Sequence, residues 1–305
     1  MLIAVLGANS FSGASFVAHA ARAGHEVMPL QRPHHDLNTR LEAIVEAVRE
    51  NQPDVFVNFA ALNMVAESWA HFQDYYQTNV IGIARLADCL RNLGLKRFVQ
   101  VSTPEVYGNT AGEERPLAEG APFAPSTPYA VSRAAADMHL RALHRLHGFP
   151  VCFTRSVNVY GPGQQPYRLI PKTVLSILRG EKLPLDGGGR SCRAFIHARD
   201  MAAAILAVAE RGRPGEDYHI ATGYEIAIRE VVKRVCELMG ARFQDAVHEV
   251  SERPGKDRAY RLDDRKIRNE LGWQESVPFQ AGLTETVAWF RARADHRSLA
   301  YEHRP

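Results

Sequence analysis

Leu2-Ile3-Ala4-Val5-Leu6-Gly7-Ala8-Asn9-Ser10-Phe11-Ser12-Gly13 is the stretch that decides the fold. A short apolar run closed by a glycine reads as a strand buried on both faces, the kind found in parallel sheets. Residues 12–23 follow with helical spacing, and Gly24 ends them. A glycine-bearing turn between a strand and a helix can hold a phosphate. Its glycines let the backbone approach a pyrophosphate, and the helix start offers N–H groups and the positive end of its dipole. The candidate contacts are Gly7, Ser10, Phe11 and Gly13, with Ser10 standing where the middle glycine of such a pattern is expected. On these residues alone, a dinucleotide site and a plain strand–helix turn both stay open.

Working outward, Glu26–Leu30 reads as a second strand, and residues 41–49 as a helix with Leu41, Ile44, Val45 and Val48 on one face. Pro53 precedes a third strand at 54–59. Residues 75–93 form a long amphipathic helix ended by Gly94, and 97–101 another strand. Strand and helix alternate through Arg155, which predicts an α/β fold with a doubly wound parallel sheet. After Tyr160 the pattern changes. Gly161-Pro162-Gly163 opens a loop, Leu169–Arg179 is helical, and Gly187-Gly188-Gly189 interrupts the chain again. The expected organisation is a first domain of residues 1–160 to which 192–222 return, with 161–191 and 223–290 forming a smaller lobe. Residues 291–305, polar and charged, read as a frayed surface tail.

The composition excludes several classes. Of 305 residues, 46% are hydrophobic and 23% charged, and 37 cations against 34 anions leave a formal charge of +3 without any basic block. Nucleic acid is therefore not an expected partner. No apolar run approaches the ~20 residues that span a bilayer. The apolar start, lacking a basic flank and running straight into the glycine turn, reads better as a first buried strand than as a signal peptide. Cys89, Cys152, Cys192 and Cys236 are far apart with no metal-ligand spacing, which reads as reduced thiols and a cytoplasmic protein. His139, His144 and His147 share a predicted helix at spacings unsuited to a metal, so no metal is assigned.

A dinucleotide site would need an acid at the end of the second strand to grip the ribose 2′-hydroxyl of NAD. Gln31-Arg32 stands there instead. Arg32 can meet a 2′-phosphate, which favours NADP, while a solvated arginine at a strand end leaves NAD open. Asp36 is a candidate contact to the adenine.

Further motifs follow in order. They are Ala60-Ala61, Ser102-Thr103-Pro104-Glu105-Val106-Tyr107-Gly108, Tyr129-Ala130-Val131-Ser132-Arg133, Arg155 to Gly163, and Phe195-Ile196-His197-Ala198-Arg199-Asp200. With the glycine turn, they resemble the extended short-chain dehydrogenase/reductases acting on nucleotide sugars, the NAD-dependent epimerase/dehydratase family. Within it the chain is most similar to the dTDP-glucose 4,6-dehydratases. Arg253-Pro254-Gly255-Lys256-Asp257-Arg258 and Glu270-Leu271-Gly272-Trp273 add to that likeness, which runs to about residue 290. The resemblance implies a Rossmann-type domain with a smaller C-terminal substrate-binding lobe, bound NAD or NADP, and a nucleotide-diphosphate sugar as partner. It also implies a homodimer formed through helices 75–93 and 129–147.

The family's chemistry assigns roles. A free tyrosine has a pKa near ~10, so it needs a neighbouring cation to act as a base at neutral pH. By resemblance, Tyr129 takes the proton of the sugar 4-hydroxyl, Thr103 hydrogen-bonds the same oxygen, and Glu105 removes the C5 proton. Arg133 stands where the family carries lysine, a compact ammonium replaced by a wide planar fork. Tyr129 and Arg133 also touch the cofactor, as does Ala60. Asn158, Leu169, Arg193 and Arg253 are the substrate contacts. Pro104 replaces the aspartate that serves as acid in the dTDP-glucose enzymes. Three readings follow: a 4,6-dehydratase, a 4-epimerase or decarboxylase on the same scaffold, and a cofactor-binding regulatory protein with impaired chemistry. Tyr107, Tyr160 and Ser102 read as packing and bracing residues.

Overall fold

The computed structural model describes residues 1–110, 115–251, 261–293 and 299–303. The first half alternates as β1 (Leu2–Leu6), α1 (Phe11–Arg22), β2 (Glu26–Leu30), α2 (Leu41–Asn51), β3 (Val55–Asn58), α3 (Phe72–Tyr76), α4 (Ile83–Leu90) and β4 (Arg97–Ser102). It continues through α5 (Pro128–His147) and β5 (Val151–Ser156). There follow β6 (Asn158–Tyr160), α6 (Leu169–Arg179), β7 (Leu183–Asp186), β8 (Cys192–His197), α7 (Ala198–Arg211) and β9 (Asp217–Ile220). The last elements are β10 (Glu225–Ala227), α8 (Ile228–Met239), α9 (Phe243–Ala246), β11 (Val247–Val250), α10 (Arg265–Leu271) and α11 (Phe279–Ala292).

Six strands form one parallel sheet in the order β2-β1-β3-β4-β5-β9. Its strands are near-continuous apolar runs because both faces are covered. One face packs Ile3, Val5, Val55, Val57 and Val99 with residues of α1 and α7. The other packs Ala4, Leu6, Phe56 and Phe98 with α2, α4 and α5. The strand order reverses beside β1, so a crevice opens at the carboxyl ends of β1 and β3, where sheets of this type take ligands. A smaller unit lies beyond it: a three-stranded sheet ordered β10-β8-β6, the pair β11-β7, and α6, α8 and α11 around a core containing Tyr160, Val174, Val231 and Phe290.

The expected α/β doubly wound sheet is thus present, with three boundaries drawn differently. β6 and β8, expected with the large domain, hydrogen-bond to each other, and β8 also pairs with β10, in the small sheet. Only α7 and β9 of the returning segment join the large one. α10 and Trp273, expected in the small lobe, pack on the first core through Ile267, Leu271 and the Trp273 ring, whose indole N–H donates to the Asp200 carbonyl. The expected helix at 75–93 is present as one uninterrupted helical run over residues 72–90, with its middle, Gln77–Gly82, wound as a π-helix. The widened turn brings Asn79 inward, where its amide bonds both backbone groups of Leu62 and the Ser132 hydroxyl.

No helix among the described residues is long and apolar enough to cross a membrane, and the four cysteines are unpaired. Residues 299–303, part of the expected frayed tail, lie back on α3. There the His303 imidazole donates to Asp74 at 2.7 Å and stacks on His71.

Candidate active site

The glycine turn folds as its residue types require. Ser10 caps α1, its hydroxyl accepting from the Gly13 N–H at 3.0 Å. Gly7 adopts φ +79°, a left-handed conformation open to glycine. A Cβ at Gly13 would lie 2.2 Å from the Gly7 carbonyl, so only glycine lets the helix start this close to the strand. Ser10, Phe11 and Ser12 line one end of a cleft of about 420 Å³ between the two units.

β4 ends at Ser102, whose hydroxyl donates to Asp137 of α5 at 2.6 Å, the bracing role its position suggested. Thr103 then caps a short 3-10 turn at Pro104–Tyr107, where proline at the first position costs no hydrogen bond. That turn carries Glu105 into the cleft. Thr127 caps α5, again with proline following, and the first turn of the helix presents Tyr129 and then Arg133 to the same wall. Thr103, Glu105, Tyr129 and Arg133, 30 positions apart in the chain, therefore converge.

Their electrostatics are coupled. Burial pushes the Tyr129 phenol above its ordinary range. The Arg133 guanidinium opposes that, Glu105 adds to it, and a hydrogen bond with Thr103 and the charge of Arg168 bring it down again. Arg133 is 2% exposed. Its Nη2 donates to the Val101 carbonyl, while Nε and Nη1 are buried without a partner among the described residues.

Asn158, Leu169 and Arg193 line the opposite, small-lobe side of the cleft. Arg193 also donates to its neighbour's carbonyl, Cys192, at 2.8 Å. Arg253 lies outside the described residues. The cleft wall further includes Asn63, Ser156, Gln164, Gln165 and Arg168. Gln164 and Gln165 follow the Gly161-Pro162-Gly163 loop directly, a position that could have flagged them. Arg168 reaches across to Asn63 at 3.2 Å, joining the two units over the cleft.

Two expected cofactor contacts are engaged with each other. The Arg32 Nε is 2.5 Å from an Asp36 carboxylate oxygen. The other Asp36 oxygen accepts from the Asn38 and Thr39 N–H groups, both at 2.9 Å, and from the Thr39 hydroxyl. These bonds and Arg32 hold the Asp36 carboxyl below its ordinary range against the opposing effect of burial. Asp36 is thus a turn-forming residue instead of a free acceptor for adenine. The Ala60 N–H donates to the Asn58 side-chain oxygen at 3.0 Å, and its nitrogen sits 3.1 Å from where a Gly7 Cβ would be, between Phe59 and Ala61 of the cleft lining. Tyr107 and Tyr160 are buried and bonded away from the cleft, to His219 and to the Phe279 carbonyl.

The sequence profile of GDP-mannose 4,6 dehydratase matches residues 19–286. A dTDP-glucose 4,6-dehydratase of Xanthomonas campestris is 36% identical over 264 residues, covering 81% of this chain and 75% of the relative. The crystal structure of a dTDP-glucose 4,6-dehydratase from Streptomyces venezuelae, solved with NAD bound, superposes with a TM-score of 0.90 at 34% identity, covering 96% and 97% of the two chains. A UDP-glucose 4-epimerase of Thermotoga maritima, solved with UDP-glucose, reaches 0.89 at 26% identity, covering 97% and 100%. With the sheet order, the glycine turn and the converging tyrosine and threonine, these likenesses make the chain a member of the GDP-mannose 4,6 dehydratase family, the NAD-dependent nucleotide-sugar dehydratases and epimerases of the extended short-chain dehydrogenase/reductase type.

Proposed function

We propose that the protein is a nucleotide-sugar 4,6-dehydratase working with bound NAD. The observation that carries this reading is the convergence of Thr103, Glu105, Tyr129 and Arg133 on one wall of a cleft whose far end is the phosphate turn. The turn suits a dinucleotide: Gly7 and Gly13 leave no Cβ in the way, and α1 begins there. Arg133 brings its charge to the cleft wall beside Tyr129. Engagement of Arg32 by Asp36 supports NAD over NADP. The bound nicotinamide supplies a hydride acceptor for C4 of the sugar and the hydride donor for C6.

Tyr129 removes the 4-hydroxyl proton, with Thr103 bonded to the phenol oxygen and the Arg133 charge favouring the phenolate. The resulting 4-ketone acidifies C5–H, and Glu105 takes that proton. Pro104 offers no acid, and Glu105 is the one carboxylate lining the cleft among the described residues. The same carboxyl therefore passes its proton to the departing C6 oxygen, the C6–O bond breaks, and water leaves; the hydride returned to C6 is matched by one proton added at C5, which balances the one Tyr129 took and sheds. Asn158, Arg193 and Arg253 bind the diphosphate, and Leu169 walls the base.

Purified protein incubated with dTDP-glucose, UDP-glucose or GDP-mannose should give a product lighter by one water, at many turnovers per bound NAD. Glu105→Gln should lower that rate by roughly 100- to 10,000-fold. Inversion at C4 without water loss, CO₂ release from a nucleotide uronic acid, or no turnover with any of these sugars overturns the reading.

A homodimer and a cytoplasmic location belong to the same proposal. Phe72, Tyr76, Ile81, Val131 and Met138 are exposed apolar residues on α3, the π-helical stretch and α5, which contact one another and form one face. Light scattering should give twice the chain mass, and Met138→Asp with Val131→Asp should halve it.

A further inference from the structure

We propose that His71, Asp74 and His303 form a site for a zinc-class divalent ion, which clasps segment 299–303 over the outer side of the catalytic tyrosine. His71 is the cap of α3 and Asp74 stands three positions on, so the two share one side of the helix start. His303 arrives from 229 positions away and donates to Asp74 at 2.7 Å. One ligand-capable atom from each residue lies within 4.8 Å of the other two. Zinc–nitrogen and zinc–oxygen bonds of ~2.1 Å in a tetrahedron put ligand atoms about 3.4 Å apart, inside that range. All three residues are half-buried, and His303 Nδ1 is buried with no hydrogen-bond partner among the described residues.

The donor set selects the ion. Two imidazoles and one carboxylate suit Zn²⁺ or Co²⁺, with water in the fourth position, whereas Mg²⁺ and Ca²⁺ require mostly oxygen. The imidazoles of His71 and His303 lie face to face, 4.0 Å apart and 9° from parallel. An ion shared by both needs the planes turned out of parallel, so binding opens the stack, and that is a signature to look for.

The clasp has a structural consequence. Leu299 packs on the small unit's core, and Tyr301 sits edge-on to Tyr167 at 5.2 Å, beside Arg168. The Tyr301 hydroxyl is hydrogen-bonded to Tyr75, which itself donates to the Met64 carbonyl at 2.6 Å. Tyr75 meets the Tyr129 ring edge-on at 6.3 Å. The segment therefore ties both units together one ring away from Tyr129, and an ion at His303 fixes its end.

The test uses full-length protein freed of metal by chelator dialysis and titrated with Co²⁺, then with Zn²⁺. One Co²⁺ per chain should bind at micromolar affinity with the intense visible absorption of a four- or five-coordinate ion, and Zn²⁺ should displace it. His71→Ala and His303→Ala should each weaken binding at least tenfold, and the ring-proton resonances of the two histidines should shift together on Zn²⁺ addition. Absence of stoichiometric binding at tens of micromolar overturns the proposal. So does affinity unchanged in His303→Ala, which would mean a surface pair at His71 and Asp74 alone.

Discussion

Two arginines are buried almost equally, Arg155 at 0% exposed on β5 and Arg133 at 2% in the cleft wall, yet their surroundings are opposite. Arg155 has its two terminal nitrogens on carboxylates, Nη2 on Asp137 at 2.7 Å and Nη1 on Asp217, and only Nε lacks a partner. The rings of Phe123, Tyr107 and Phe153 surround its guanidinium at 5.1, 5.4 and 5.8 Å. Asp217 takes Arg141 as well. Arg133 has one backbone carbonyl and, among the described residues, no carboxylate within ion-pair distance. A buried charge that is neutralised on all sides holds elements together: here Asp137 of α5, Arg155 of β5 and Asp217 of β9, with Ser102 of β4 on the same carboxylate. A buried charge left uncompensated costs the fold free energy. Its place beside Tyr129 accounts for keeping it.

The largest effect that comparison predicts is on stability. Arg155→Met should destabilise the protein by about 3–5 kcal/mol, because it leaves Asp137 a fully buried carboxylate with no ion pair and takes from Asp217 one of its two arginines. Denaturant unfolding measures it, and a loss under 1 kcal/mol would mean the cage is not a structural centre. Arg133→Met should do the reverse. Removing two orphaned donors should leave stability within about 1 kcal/mol of the parent or raise it. Turnover, however, should fall by roughly 100-fold, a loss of about 2.7 kcal/mol in transition-state binding. The sign of its pH effect follows from the charges. Burial already raises the Tyr129 pKa and Arg133 pulls it down, so without Arg133 the phenolate fraction at a given pH shrinks. The acidic limb of the kcat/KM profile should move to higher pH in Arg133→Met and stay near the parent's in Arg133→Lys. A limb that does not move in Arg133→Met would assign the arginine to shape alone.

The same contrast explains what the sequence could disclose. The geometry of the glycine turn was legible because its physics is local: Gly7, Ser10 and Gly13 act on one another within seven residues. The buried strands were legible because a parallel sheet covered on both faces must be apolar throughout. Tyr129, Thr103 and Glu105 were located through motif likeness, and no spacing in the chain announces that they meet. Local patterns were silent where a distant partner decides. The π-helical turn inside helix 75–93 accompanies the bonds of Asn79 to Leu62 and Ser132, and β8 pairs with β6 and β10, strands that lie far from it in sequence. Arg32 read as an available cation because its pairing with Asp36 needs the fold of the intervening turn. The His71-Asp74-His303 cluster spans nearly the whole chain, so no spacing rule could expose it.

The smallest effect tests whether the cage beside Arg155 is as closed as its contacts imply. His219 lies against it: Tyr107 donates to His219 Nε2 at 2.8 Å, and His219 Nδ1 donates to the Asp263 carbonyl at 3.2 Å, which requires a neutral ring. Burial, then the neighbouring Arg155 charge, lowers its pKa from 6.5 to about 3. The folded pKa lies below the unfolded one, so the unfolded chain takes up the proton first as pH falls. The stabilisation is complete above about pH 6.5 and drains away as pH drops towards 3, by at most about 1.4 kcal/mol per pH unit. Between pH 8 and about 5, above the range where ordinary carboxylates titrate, this ring should cost the parent about 2 kcal/mol, read from unfolding curves, and His219→Asn should lose that much less. Equal losses in the two proteins would mean that the ring takes a proton inside the fold, and that water or movement reaches a cage whose contacts leave it no room.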